Sequence, residues 1–162
     1  MRTTRLFTTL TLTLLALLTY AQPRLTVVVV VDGMTQENLA TLRPFWQAGG
    51  LRIMSEEAHQ TVATFPHQVY GGQETMATLM TGTTPNHHSI MADTYFERAD
   101  RKPLSILLDN QATGIGYDTP FSPRTLLSTT ITDEWRMRHG STAQIYAVGL
   151  QPQATIPMAG HA

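Results

Sequence analysis

An α/β sandwich with a mainly parallel sheet is the fold this sequence predicts, and three observations carry it. The stretch Leu25 to Met34 reads LTVVVVVDGM, an unbroken apolar run that stops at Asp32. It is too short to span a bilayer and too apolar for a strand with one wet face, so it reads as a central parallel strand covered on both sides. After it, segments of helical period alternate with β-rich segments in the order strand, helix, strand, helix, hairpin, helix, strand, as α/β architectures require. A second run, AQIYAVG from Ala143 to Gly149, supplies another buried strand near the end of the chain.

The first element is a leader. Residues 1–21 place Arg2 and Arg5 ahead of an apolar, Thr-rich stretch and end on the small residues Thr19 and Ala21, the three-part layout of a secretory signal peptide cleaved after Ala21. A membrane anchor is the alternative, but Leu6 to Leu18 is short for a span and diluted by threonine. Residues 22–162 then form the mature chain, of roughly 140 residues, enough for one domain with a core. Cleavage removes two of the 11 Lys+Arg and none of the 12 Asp+Glu, leaving three excess negative charges. No basic patch stands out, so nucleic acid is not an expected partner, and neither is a membrane once the leader is gone. With Cys 0, disulfides and thiolate zinc sites are unavailable, which suits an exported bacterial protein of the periplasm. Charged residues make up only 14% of the chain, a composition that argues against disorder.

At the carboxyl end of the first strand sits Asp32, followed by Gly33. In open α/β sheets that edge is where ligands bind, and a carboxylate there is placed as a metal ligand; the alternative is a cap for the next helix. TQENLATLRPFWQAGG then reads as a helix with acid early and Arg43 late, ended by Gly49-Gly50 or sooner by Pro44. LRIMSEEA gives a second short helix, and HQTVATF the next strand, stopped at Pro66. Gly71-Gly72 opens the helix QETMATLMTG, with Met76, Leu79 and Met80 on one face as a core stripe and Gly82 as C-cap. His87 and His88 are adjacent, so on a regular element they diverge, which favours loop residues over two ligands of one metal. ERADRKP is the tip of a hairpin joining Thr94–Phe96 to Leu104–Leu108. SPRTLLSTTITDEWRMRHG reads as a helix from Pro123, with Leu127, Ile131 and Trp135 on one face and Gly140 at its end.

Taken in order, VVVVVDGM, ATLMTGTTPNHHSIMADTYF, SPRTLLSTTITDEW and AVGLQPQATIPMAGHA resemble the alkaline phosphatase superfamily, in its secreted bacterial branch beside the type I phosphodiesterase/nucleotide pyrophosphatases. The resemblance runs from about Leu25 to the last residue and implies a truncated alkaline phosphatase-like α/β/α sandwich, the N-terminal part only. It also implies a metal-dependent hydrolase of phosphate-ester small molecules. In that family two zinc ions about 4 Å apart activate a Thr or Ser nucleophile and stabilise the phosphoryl and leaving oxygens. Asp32 matches the first metal ligand. The nucleophile position falls on Gly72, which cannot attack phosphorus; Thr75 is the nearest hydroxyl, with Thr61 and Thr64 further off.

The Asn that holds the phosphoryl group in the family falls on Asp93, which repels a phosphate dianion unless protonated or metal-bound. The family's Lys-x-Arg reads here as Gln151-Pro152-Gln153, so two cations have become neutral amides. His161 matches a structural segment rather than a ligand. One carboxylate does not make a zinc pair, which needs about three protein ligands per metal. The expectation is therefore a fragment or a pseudoenzyme without phosphatase activity. A small periplasmic binding module that keeps half the fold is the alternative.

Overall fold

The computed structural model describes residues 25–116 and 118–161, which fall into two compact units, one ending at Thr61 and the other beginning at Val62. The leader reading lies outside the described residues. No described helix is long and apolar enough to cross a membrane.

In the first unit, Leu25 to Val31 forms no strand, and Val27 and Val29 are about 70% exposed (68% and 71%). A parallel strand exists only through the ladders on its two sides. No described segment supplies those neighbours. Asp32 does not cap the helix that follows: its Oδ1 accepts the Gly33 N–H at 2.8 Å. The cap of α1 (Gln36–Leu42) is Thr35, whose hydroxyl accepts the Asn38 N–H at 3.1 Å. Pro44 ends that helix early, converting Arg43–Phe45 into a 3-10 turn. The second short helix is α2 (Gly50–Glu57), and the HQTVATF segment after it has no strand.

The second unit holds the core. Its central helix is α3 (Gly72–Thr81), closed by Gly82 in the left-handed conformation (φ 65), as the sequence predicts. Its buried face is Met76, Ala77 and Met80 together with Gln73, Glu74 and Thr78; Leu79 points outward, 49% exposed. A one-turn helix, α4 (Pro85–His88), carries the histidine pair in two directions. His88 is fully buried, its Nδ1 accepting the Ile90 N–H and its Nε2 bonded to the Thr78 hydroxyl at 3.0 Å, so it is a core residue. Burial lowers its pKa against the opposing pull of Glu74. His87 stays outside, 3.2 Å from the Thr84 hydroxyl.

The expected hairpin is present as β1 (Thr94–Glu97) and β2 (Lys102–Ser105), antiparallel, with Thr94 opposite Ser105. It makes the one sheet among the described residues. The Ala143–Gly149 segment has no strand either. Among the described residues the mainly parallel sheet is therefore not formed, for the reason given for the valines. Ala77, Ile90, Leu107 and Leu126 form the centre of the core, with Ile106, Phe121 and Ile156 packed against it.

The last helical stretch starts later than the sequence suggests. Pro123–Thr125 is a separate 3-10 turn, and α5 (Ile131–His139) begins after Thr130. A reciprocal capping box sets that start: the Thr130 hydroxyl accepts the Asp133 N–H at 3.1 Å, and the Asp133 carboxylate accepts the Thr130 N–H at 2.9 Å. The face turned inward is also not the apolar one. Asp133 is buried while Leu127 and Ile131 are exposed. Finally α6 (Pro152–Ala159), with Pro at its first position, packs on α3.

Candidate functional site

The N-terminus of α3 has no cap in its own sequence, because Gly71 has no side chain to offer. A residue from the start of the hairpin fills the role. Asp93, immediately before β1, accepts the Gln73 N–H at 2.7 Å and the Gly72 N–H at 3.2 Å. Glycine at 71 is what lets it approach: a Cβ there would lie 2.5 Å from Asp93 Oδ1. Ser105, at the other end of the hairpin's base, accepts from the Gln73 side-chain amide at 3.3 Å. Because α6 packs on α3, its first turn closes the same place. The result is a cleft of about 210 Å³ lined by Gly72, Gln73, Asp93, Ser105, Gln151 and Gln153, together with Thr94 and Ala154.

Four positions singled out from the sequence, Gly72, Asp93, Gln151 and Gln153, therefore meet in one cleft. Gln73 and Ser105 were not legible in advance, since nothing in their local sequence marks them. Thr75 does not join the cleft: its hydroxyl donates to the Gly71 carbonyl at 2.7 Å, inside the helix's own first turn. A Cβ at Gly72 would meet no atom within 4 Å beyond its own helix backbone and chain neighbours, so close packing does not dictate glycine there. Charge does distinguish the site. Asp93 is its one ionisable lining residue, and it occupies the helix N–H groups that would otherwise receive an anion.

Asp32 belongs to the first unit and is exposed. Among the described residues no group of three His, Cys, Asp or Glu side chains is arranged to hold a metal. The donor set present does not fit the zinc pair that the resemblance implies.

A second constellation lies at the start of α5. His161 donates its backbone N–H to Asp133 Oδ1 at 2.6 Å, while its Nδ1 stands 2.9 Å from Asp133 Oδ2 and its Nε2 stands 2.9 Å from the Leu126 carbonyl. Both ring nitrogens are spoken for, so His161 clamps the segment just after α6 to the capping box rather than facing a ligand. Burial pushes the Asp133 pKa up, but the hydrogen bonds from His161 and from Thr130 outweigh it and hold the carboxyl below its ordinary value of 3.8. A carboxylate whose pKa is lowered by folding stabilises the fold above the ordinary Asp range, and the contribution is lost as pH falls through the lower folded value. Denaturant unfolding followed from neutral pH into this acid range should show that loss. Asp133→Asn should be less stable at neutral pH and should flatten the acid dependence.

The family model for type I phosphodiesterase / nucleotide pyrophosphatase matches residues 26–159. The chain belongs to this family. Within it, the chain is 25% identical over 154 residues to alkaline phosphatase PafA of Elizabethkingia meningoseptica, covering 86% of this chain and 27% of that protein. It is 24% identical over 147 residues to alkaline phosphatase PhoV of Synechococcus elongatus, covering 88% of this chain and 27% of that protein. The chain thus spans about a quarter of the length of these alkaline phosphatase relatives.

A solved structure of PafA carrying four substitutions, of a Thr, an Asn, a Lys and an Arg, superposes with a TM-score of 0.65 at 24% identity, over 82% of this chain and 26% of that one. The fold is therefore a truncated alkaline phosphatase-like α/β fold.

Proposed function

We propose that this chain is the N-terminal part of an exported, metal-dependent phosphate-ester hydrolase of the alkaline phosphatase superfamily, in which the phosphoryl site has been recast so that the chain is inactive. The observation that carries the reading is the convergence of Gly72, Asp93, Gln151 and Gln153 in one cleft. The cleft gathers the positions that the family resemblance assigns to a phosphoryl site, with the wrong chemistry for one. It offers no hydroxyl nucleophile at Gly72 and no cation from α6, and it holds a carboxylate where an anion would bind. Export rests on the leader's layout, and metal dependence on the family resemblance, in which Asp32 matches the first metal ligand. The exposed valines of the first unit favour a fragment over a self-sufficient binding module, because evolved sheet edges carry charge or proline and these carry neither.

The isolated chain is expected to hydrolyse neither p-nitrophenyl phosphate nor a bis-aryl phosphodiester with zinc supplied. Steady turnover that disappears on adding chelator and in Asp32→Ala would overturn the proposal.

A further inference from the structure

We propose that the cleft at the start of α3 binds a small organic cation bearing N–H donors, an alkylammonium or a guanidinium. The inference rests on reading the cleft as a recast phosphoryl site, and names what the recast chemistry recognises. Three features of the lining point the same way. The first is charge: the carboxyl group of Asp93 is the one ionisable group of the lining, and no Lys, Arg or His lines the cleft to balance it.

The second is the state of the hydrogen-bonding groups. The backbone donors of Gly72 and Gln73 are taken by Asp93. A carboxylate has about four acceptor sites, so roughly half of those on Asp93 stay available. Gln73 is 4% exposed, and its Oε1 has no hydrogen-bond partner. A buried acceptor left unmatched is costly, and a donor is what matches it. Ser105, Gln151 and Gln153 add neutral dipoles that turn toward a cation without opposing it.

The third feature is size. A volume of about 210 Å³ corresponds to roughly seven waters at about 30 Å³ each, which suits a cation of a few heavy atoms and not a long chain. A metal ion is a poorer match, since one carboxylate with neutral amides falls short of the anionic oxygen set that hard divalent cations take.

The test is titration of the full chain, watched by amide NMR at matched ionic strength, with methylguanidinium, ethylammonium, tetramethylammonium and inorganic phosphate. Methylguanidinium and ethylammonium should give saturable shifts at Gly72, Gln73, Thr94 and Ser105, with dissociation constants in the range of about 1 mM and above. Tetramethylammonium, which has no N–H, and phosphate should leave those amides unmoved. Asp93→Asn should weaken the donor cations by about tenfold or more, a loss of about 1.4 kcal/mol. Should that variant fail to fold, Gln73→Met carries the test: it keeps the side chain's length, removes the acceptor, and should weaken binding while leaving the circular dichroism unchanged.

Saturable phosphate shifts at these amides, equal binding of tetramethylammonium, or unmoved cleft amides with both donor cations at about 100 mM would each overturn the proposal. Absent binding by every probe, with the hydrolysis result as expected above, would sink the cation reading and leave the inactive-hydrolase reading standing.

Discussion

Replacing Gly160 by alanine is expected to destabilise the second unit by about 3 kcal/mol or more. Gly160 has φ 69, and a Cβ there would press into the Thr130 hydroxyl and lie 2.7 Å from Asp133 Oδ1. The clash would fall on the side chains that start α5 and hold His161. Neither can yield cheaply: Thr130 is fully buried, and the Asp133 carboxylate already accepts from Thr130 and His161. The left-handed backbone alone costs a non-glycine residue about 1–2 kcal/mol, and a lost N-cap about 1 kcal/mol more. Urea unfolding followed by far-ultraviolet dichroism measures the sum. Gly160→Ala combined with His161→Ala should cost much less than the two single losses added, because both act on one network. A Gly160→Ala protein within about 1 kcal/mol of the parent would show that the clamp contributes little.

The combined variant Asp93→Asn, Gln151→Lys, Gln153→Arg is expected to gain affinity for inorganic phosphate by about a thousandfold over the parent chain. All three positions line one cleft, and the substitutions move its charge from one negative to two positive. At an effective dielectric of about 20, unit charges about 4 Å apart interact by about 4 kcal/mol. Solvent at the cleft mouth reduces this to about 1–1.5 kcal/mol per charge. Three such changes give about 4 kcal/mol, or roughly three decades in the dissociation constant. Calorimetric titration reads the effect directly. Adding Gly72→Thr should be tolerated, since no atom lies within 4 Å of a Cβ there. A combined variant that folds and still ignores phosphate would mean that the cleft is not a phosphoryl site in another guise.

Much of this protein was legible in the sequence, and the legible part shares a physical character. Helices α1 and α3, the Pro44 stop, the Gly82 cap and the hairpin were all readable, because proline geometry, glycine's left-handed conformation and helical periodicity are properties of a few adjacent residues. The family resemblance was enough to single out Gly72, Asp93, Gln151 and Gln153 together, although Gly72 and Gln151 stand 79 positions apart.

What only the tertiary structure decided concerns groups whose partners are distant in sequence. The valines of Val27–Val31 and the Ala143–Gly149 segment have strand composition but no ladder among the described residues, since a strand is a property of its neighbours as much as of itself. The start of α5 moved from Pro123 to Ile131 because the Thr130–Asp133 box and His161, 28 residues beyond Asp133, outweigh a local proline signal. Asp93 became the cap of α3 because the hairpin brings it to a helix start that had no cap of its own. Gln73 became a cleft residue with an unmatched acceptor in the same way. Local sequence sets which backbone shapes are cheap. Which donor meets which acceptor across the fold is set only when the chain has closed on itself, because an unpaired buried polar group costs about as much as a whole cap contributes.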